Sequence, residues 1–390
     1  YVIGVALDLD VGSLVFYKNG SSQGTAFTGL SGNFSPSFGL YTDAASSPMA
    51  MSFYANFGQR PFAYSAPSGF KSLCTTNLPT PTIQKPSTAM DVVTYTGTGS
   101  SQSPTSSLGF SPDLVWIKGR SGATDHALYD TVRGTTLDLA SNLTSAETTQ
   151  TQGLTAFNSN GFTIGTLAKL NTNTSTYVAW AWDAGSTTST NNSGTITSTV
   201  SVNPTAGFSI VSYNSGGSGN KTIGHGLGTT PKFIIVKQRS PTTDNWQVWH
   251  TAFAANERIY LNLTNAKASN AAWWNNTLPT SSVFSINSGT QFDLNNDTIA
   301  YCFSEIEGYS KFGSYTGNGS SDGTFVWCGF RPRWVMVKNA SAAESWYLFD
   351  TARDTYNVAG TYGLFPNLSN AETGSYRSEE HTSELQSRQY

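Results

Sequence analysis

Charge is scarce in this sequence. Asp, Glu, Lys and Arg make up only 12% of the 390 residues, about half the usual share. No stretch gathers Lys and Arg, and the net charge is −3. Binding a phosphate backbone needs a basic stripe, so nucleic acid is excluded as a partner. No apolar run reaches the length of a membrane span, so no membrane partner is expected. Cysteine is rarer still. Cys74, Cys302 and Cys328 are odd in number and far apart, which leaves neither a disulfide framework nor a structural zinc site. His-Glu-x-x-His, Cys-x-x-Cys and Gly-x-Ser-x-Gly are all missing, so zincin, zinc-ribbon and serine-hydrolase chemistry lack their residues. No catalytic residue, metal site or cofactor is expected.

What is abundant is aromatic and small. There are 10 Trp, 18 Tyr, 22 Phe and 37 Gly. Ser, Thr, Asn and Gly supply turn dihedrals and local hydrogen bonds, while the aromatics can fill large cores. No useful helical period appears; Ala140 to Gln150 is at most a short helix or a turn. The expected class is all-β.

Residues 1 to 17 alternate as a half-buried strand does, with Ile3, Val5, Leu7 and Leu9 on one face. Asp10 to Ser13 turns the chain, Leu14 to Tyr17 returns it, and Lys18-Asn19-Gly20 is a hairpin signal. Further strands are expected at Pro36 to Tyr41 and Met49 to Gly58. Asp8-x-Asp10-x-Gly12 is read as a turn, because the remaining acids of a calcium loop are missing. Ala6-Leu7-Asp8-Leu9-Asp10, Leu14 to Gly20, Pro36-Ser37-Phe38-Gly39 and Asn56-Phe57-Gly58-Gln59 together resemble the C-terminal half of a SPRY domain. That resemblance covers about residues 1–71. It implies part of a β-sandwich that binds partners through loops at one end, with Tyr1 falling inside a strand of a longer domain.

After a Pro- and Thr-rich linker the chain repeats itself, which is the most informative feature of the sequence. Each copy opens at a Tyr and a Gly-rich turn, at Tyr95, Tyr213 and Tyr315. Each continues with Pro and an apolar run ending in Lys: Pro112 to Lys118, Pro231 to Lys237 and Pro332 to Lys338. The Tyr-to-Lys spacings are 23, 24 and 23 residues. Next come Tyr129-Asp130-Thr131-Val132-Arg133, Trp249-His250-Thr251-Ala252-Phe253 and Phe349-Asp350-Thr351-Ala352-Arg353. Asn142-Leu143-Thr144, Asn262-Leu263-Thr264 and Asn367-Leu368-Ser369 follow. A closing strand is shared by the first two copies, Val178-Ala179-Trp180-Ala181-Trp182 matching Ile299-Ala300-Tyr301-Cys302-Phe303. Apolar on both faces, the runs before Lys118, Lys237 and Lys338 are expected as covered central strands. The repeat resembles an uncharacterised β-rich module of marine phage structural proteins, over about residues 89–376. That implies a virion setting, outside the cell, and brings no active site with it.

The expected organisation is a partial SPRY-like β-sandwich (1–75), a linker (76–88) and about three tandem β-sandwich modules. These are copy 1 (89–185), a linker or inserted strands (186–206), copy 2 (207–308) and a shortened copy 3 (309–376). Residues 377–390 break the composition abruptly and resemble a translated sequencing adapter; they are expected to be an artefact.

Chemistry is thin. His250 stands where the other copies have Asp130 and Asp350, an exchange that a catalytic residue would not tolerate. Asp130 with Arg133, and Asp350 with Arg353, suit an ion pair or a loop clamp. Gly224-His225-Gly226-Leu227-Gly228 precedes a strand rather than a helix, so it reads as a turn and not a phosphate cradle. Trp246, Trp249, Trp273, Trp274 and Trp346 flank Asn-rich stretches and are the candidate ligand-binding residues. An exposed indole face stacks on a sugar ring, whereas a buried one is core. The expected function is structural and adhesive, as a tail fibre, appendage or capsid decoration. The expected partners are other virion proteins or a host surface glycan, with homo-oligomerisation left open. The alternatives are a carbohydrate-active depolymerase and a bacterial secreted adhesin.

Overall fold

The computed structural model describes residues 1–32, 34, 36, 52–74, 77, 80–104, 108–217, 219–240, 243–270, 273–287, 295–320, 323–324, 326–354 and 361–376. The chain divides into two compact units, Tyr1–Thr80 and Pro81–Tyr390.

The first unit is an antiparallel meander of β1 (Ile3–Asp8), β2 (Ser13–Lys18) and β3 (Ser21–Phe27). Asp8 Oδ1 accepts the backbone N–H groups of Asp10 and Val11 and so closes the β1–β2 turn. The alternation of β1 is as expected, but its apolar face is bare: Ile3 and Val5 are 59% and 54% exposed. The strand expected at Pro36 to Tyr41 lies outside the described residues, apart from Pro36. The one expected at Met49 to Gly58 is not a strand over residues 52–58. There the side chains of Asn56 and Gln59 bond the backbone at Ala55, Phe57, Gly58 and Arg60 instead, which competes with a sheet ladder.

The second unit begins with β4 (Met90–Thr96), β5 (Leu114–Gly119), β6 (Ala127–Asp130), β7 (Gly134–Leu139) and β8 (Thr148–Thr149). An outer hairpin follows, β9 (Leu154–Asn158) and β10 (Gly161–Ile164), then a four-residue helix α1 (Ala168–Asn171) and β11 (Thr176–Trp182). The stretch 186–206, expected as a linker or inserted strands, holds β12 (Thr188–Asn191) and β13 (Ser198–Asn203). Copy 2 then supplies β14 (Phe208–Asn214), β15 (Lys221–Gly224), β16 (Phe233–Gln238), β17 (Gln247–His250) and β18 (Glu257–Tyr260). It ends with β19 (Ala268–Ser269), β20 (Val283–Ile286) and β21 (Asp297–Phe303). Copy 3 contributes β22 (Trp334–Lys338), β23 (Trp346–Asp350), β24 (Thr361–Gly363) and β25 (Thr373–Tyr376).

The repeat is structural as well as sequential. The first large sheet runs β4-β11-β5-β6-β7-β8, and the second runs β14-β21-β16-β17-β18-β19 with β12 and β13 added at one edge. All three Pro-to-Lys runs are strands, and β5 and β16 are buried throughout. Period-2 alternation gives each of these sheets two covered faces. Outward, Val115 and Ile117 pack under the copy 1 hairpin with Phe162 and Ile164, and Ile234 and Val236 pack with Phe284 and Ile286. Inward, Trp116, Trp180, Ile235, Tyr301, Trp346 and Leu348 from all three copies meet in one core. Copies 1 and 2 thus each keep an outer core of their own, and all three copies are also grouped about a common inner one.

Candidate functional site

The junctions between copies hold the unusual side chains of this protein. Each is built on the Asn-Leu-Thr/Ser segment noted in the sequence. Asn142 Oδ1 accepts the N–H of His126 at 3.0 Å, Asn262 Oδ1 that of Trp246 at 2.9 Å, and Asn367 Oδ1 that of Trp346 at 3.0 Å. These bonds fix the residues just before β6 and β17 and the first residue of β23. They also show that His126, Trp246 and Trp346 are one position in three copies.

Each of those rings reaches the preceding copy. Trp246 Nε1 donates to Ala140 O (2.9 Å), and Trp346 Nε1 donates to Tyr260 O (2.8 Å). His126 closes the circle, Nε2 to Phe365 O at 2.8 Å. Its Nδ1 accepts the indole N–H of Trp116 at 2.8 Å, so Nε2 carries the hydrogen and does what the tryptophan N–H does elsewhere. Burial holds His126 well below the usual histidine pKa, which keeps this neutral tautomer.

The lysines that end the apolar runs repeat the pattern. Lys237 Nζ donates to Thr144 O (3.0 Å), Lys338 Nζ to Thr264 O (3.2 Å) and Lys118 Nζ to Ser369 O (3.2 Å). Copy 2 thus bonds copy 1, copy 3 bonds copy 2, and copy 1 bonds copy 3, a closed ring of three. Lys118 and Lys237 are almost wholly enclosed, and burial pushes both ammonium groups down to about 8. Their carbonyl acceptors are what keeps such buried donors tolerable.

Acid–base clusters complete two of the three junctions. Arg133 Nε donates to Asp130 Oδ2 at 2.5 Å and Nη1 to Glu147 Oε2 at 2.8 Å, and Glu147 also receives Arg239 of copy 2 at 2.8 Å. Asp130 accepts the hydroxyl of Tyr301, again from copy 2. Copy 3 repeats this with Arg353, Asp350 and Glu372, where Arg120 and Trp180 of copy 1 take the places of Arg239 and Tyr301. The Asp–Arg pairs expected from sequence are therefore present. Burial alone would lower the pKa of Arg133, but Asp130, Tyr301 and Glu147 outweigh it and raise the value above the usual one. For Glu147, burial is outweighed by Arg239 and Arg133, which hold the carboxyl below its usual range.

The five candidate tryptophans do not form a site. All are buried, from Trp246 at 0% to Trp273 at 9% exposure. Trp246 and Trp346 belong to the common core, while Trp249, Trp273 and Trp274 belong to the outer core of copy 2. Arg258 lies 3.2 Å above the Trp273 ring and 3.5 Å from that of Tyr260, and its own burial lowers it to about 9. No indole face among the five stands open to a sugar ring. Their Asn neighbours mark strand ends and turns instead, and the aromatic area is used in packing. His225 is likewise structural, with Nδ1 accepting the Leu227 N–H and Nε2 bonded to Thr280 O. Among the described residues no group of three His, Cys, Asp or Glu is placed to hold a metal ion.

Comparison with known families follows the same division. Residues 1–59 match the SPRY domain model. Residues 85–386 match a single model described as a domain of unknown function, DUF7483, which takes in all three copies together. That match runs into the segment after Tyr376, which lies outside the described residues, and nothing found supports reading it as an adapter artefact. No curated protein and no solved structure matches the chain. With more than half of its length matched by one model, this chain belongs to the DUF7483 family, preceded by a stretch similar to a SPRY domain.

Proposed function

We propose that this chain is a structural and adhesive protein of a virion surface, serving as a tail fibre, appendage or capsid decoration without catalysis. The observation that carries this reading is the use made of its buried ionisable groups. Lys118, Lys237, Asp130, Arg133, Asp350 and Arg353 are all engaged in bonds that hold strands and copies together. In an active site such groups would converge on a cleft. A rigid scaffold is what their arrangement produces. The SPRY-like stretch adds a second element of a kind used for partner binding.

The contact would be with another virion protein or a host surface glycan, weak for each chain and strengthened by display in many copies. A glycan array with the purified chain, run beside a reducing-sugar assay on the polysaccharides that bind, tests this. Binding without release of reducing ends is the expected result. Release of reducing ends would replace the reading with a depolymerase.

A further inference from the structure

The outer face of copy 1 encloses an acid and a base that lie outside the junction clusters. Asp138, in β7, is 4% exposed, and Lys169, in α1, follows 31 residues later. Lys169 Nζ donates to Asp138 Oδ2 and, at 3.4 Å, to His126 O. The other carboxyl oxygen, Asp138 Oδ1, is buried and has no hydrogen-bond partner among the described residues. The buried hydroxyl of Tyr129 has none either. It stands beside Asp138, because Leu128 of β6 faces Leu139 of β7.

A buried carboxylate with one oxygen unpaired is costly, and neutralising it removes that cost. Burial accordingly raises the Asp138 carboxyl above its usual range, and Lys169 offsets only part of this. Burial and the neighbouring Asp138 together push the Tyr129 hydroxyl up, so it keeps its proton and remains a donor. The arrangement is particular to copy 1. Counted from the shared Asn142 and Asn262, copy 2 has Trp249 and Arg258 where copy 1 has Tyr129 and Asp138.

We propose that Lys169 and Asp138 join in an amide bond, a permanent cross-link formed within copy 1 by the folded chain itself. The step begins with a proton passing from Lys169 Nζ to Asp138 Oδ2, which leaves a neutral amine beside a neutral acid. The Nζ lone pair attacks Cγ, the Nζ–Cγ bond forms, and Oδ1 takes up the negative charge. The Tyr129 hydroxyl is placed to stabilise that oxygen. A second Nζ proton then passes to Oδ2, the Cγ–Oδ2 bond breaks and one water leaves. No oxidant or other reagent is needed, and fixed contact replaces a bimolecular encounter. The Lys169 side chain is 19% exposed, which gives the water a path to solvent. Both enclosed charges disappear in the product. The cross-link closes the chain from β7 to α1 into a loop that holds β8, β9, β10 and Glu147. Glu147 receives Arg239 of copy 2, so the bond also restrains that junction.

The test is the mass of the whole chain, folded first and then denatured for mass spectrometry. The wild type should weigh one water less than its sequence. Proteolysis should release a branched peptide that joins the segments around Asp138 and Lys169. Lys169→Met should carry the full mass of its sequence. Asp138→Asn should still reach the cross-linked mass, since ammonia leaves in place of water. Tyr129→Phe should leave more chain unreacted at equal times after synthesis. A wild-type chain at full mass, without the branched peptide, would overturn the proposal, and this reading stands even where a variant fails to fold. So would a loss of water that survives in Lys169→Met, which would place the dehydration elsewhere. Equal conversion in Tyr129→Phe would overturn the step as written through Tyr129.

Discussion

The junction between copies 1 and 2 and the junction between copies 2 and 3 share a backbone plan and differ in almost every charged group. In both, a lysine ammonium meets a carbonyl of the Asn-Leu-Thr segment, at Thr144 or Thr264. In both, a tryptophan N–H meets a backbone carbonyl, and a backbone N–H of the first copy meets a carbonyl of the next, Glu147 to Arg239 O and Lys267 to Ala340 O. The first junction then adds Arg133, Asp130, Glu147 and Arg239. At the matching positions the second has Phe253, His250, Lys267 and Ala340. Lys267 there turns to Glu257 within its own copy. One architecture thus tolerates either a buried ionic cluster or aromatic packing. The geometry resides in bonds to main-chain carbonyls, which do not depend on the identity of those side chains.

That comparison can be broken most severely at Arg133. Arg133→Met leaves Asp130 buried without its cation, and losing one partner of such a pair costs about 3–5 kcal/mol. Arg353→Met should match it, since Arg353 makes the same bonds in copy 3. Denaturant unfolding of both variants checks this; losses under about 1 kcal/mol would show that the clusters are dispensable everywhere.

The third junction, copy 1 to copy 3, differs by using His126 in place of a tryptophan. Its folded pKa lies below the unfolded value of about 6.5, so the unfolded chain binds the extra proton as pH falls. The contribution is intact above about pH 6.5 and declines below it, by up to about 1.4 kcal/mol per pH unit. Glutamine can accept from Trp116 and donate to Phe365 O, so H126Q should flatten this part of the acid limb. An H126Q profile parallel to the wild type between pH 6.5 and 5 would remove His126 from the account.

The smallest expected effect tests whether the ionic cluster can be transplanted. K267E with A340R recreates the Glu–Arg contact of the other two junctions. The equivalent Arg120–Glu372 pair is partly solvated, with side chains 22% and 10% exposed, so the gain should be no more than about 1 kcal/mol. A shift in thermal midpoint for the double variant beyond the sum of the single changes is the measure, and a sum that accounts for everything would show that no pair forms.

Much of the fold was legible because strands declare themselves locally. The Pro-to-Lys runs and the alternation in Val178 to Trp182 each lie within a few residues and each became a strand, although only β5 and β16, and not the half-buried β22, are the covered central strands expected of those runs. Closure into a ring was not legible, since a repeat reports that copies are alike and not which surfaces they share. The equivalence of His126 with Trp246 and Trp346 was hidden by chemistry. An imidazole and an indole do the same job there only because both can present one N–H to a carbonyl. A recurring aromatic ring sixteen or, in copy 3, twenty-one residues before each Asn was the available signal. The tryptophans were misleading as sugar platforms for a related reason: composition shows that rings are abundant, and only the fold shows that their faces are covered.

A ring of three has one further consequence, for how such a chain can change in length. Beads on a string can be duplicated or deleted at the end with little effect on those that remain. Here the His126 ring of the first copy is bonded to Phe365 of the third, so the two ends of the count are neighbours. A fourth copy would have to part them, and the loss of one would leave one of the two remaining lysines without its carbonyl across the junction. Copy number is therefore fixed by closure, and variation in length is expected in the loops and outer hairpins, away from the shared core.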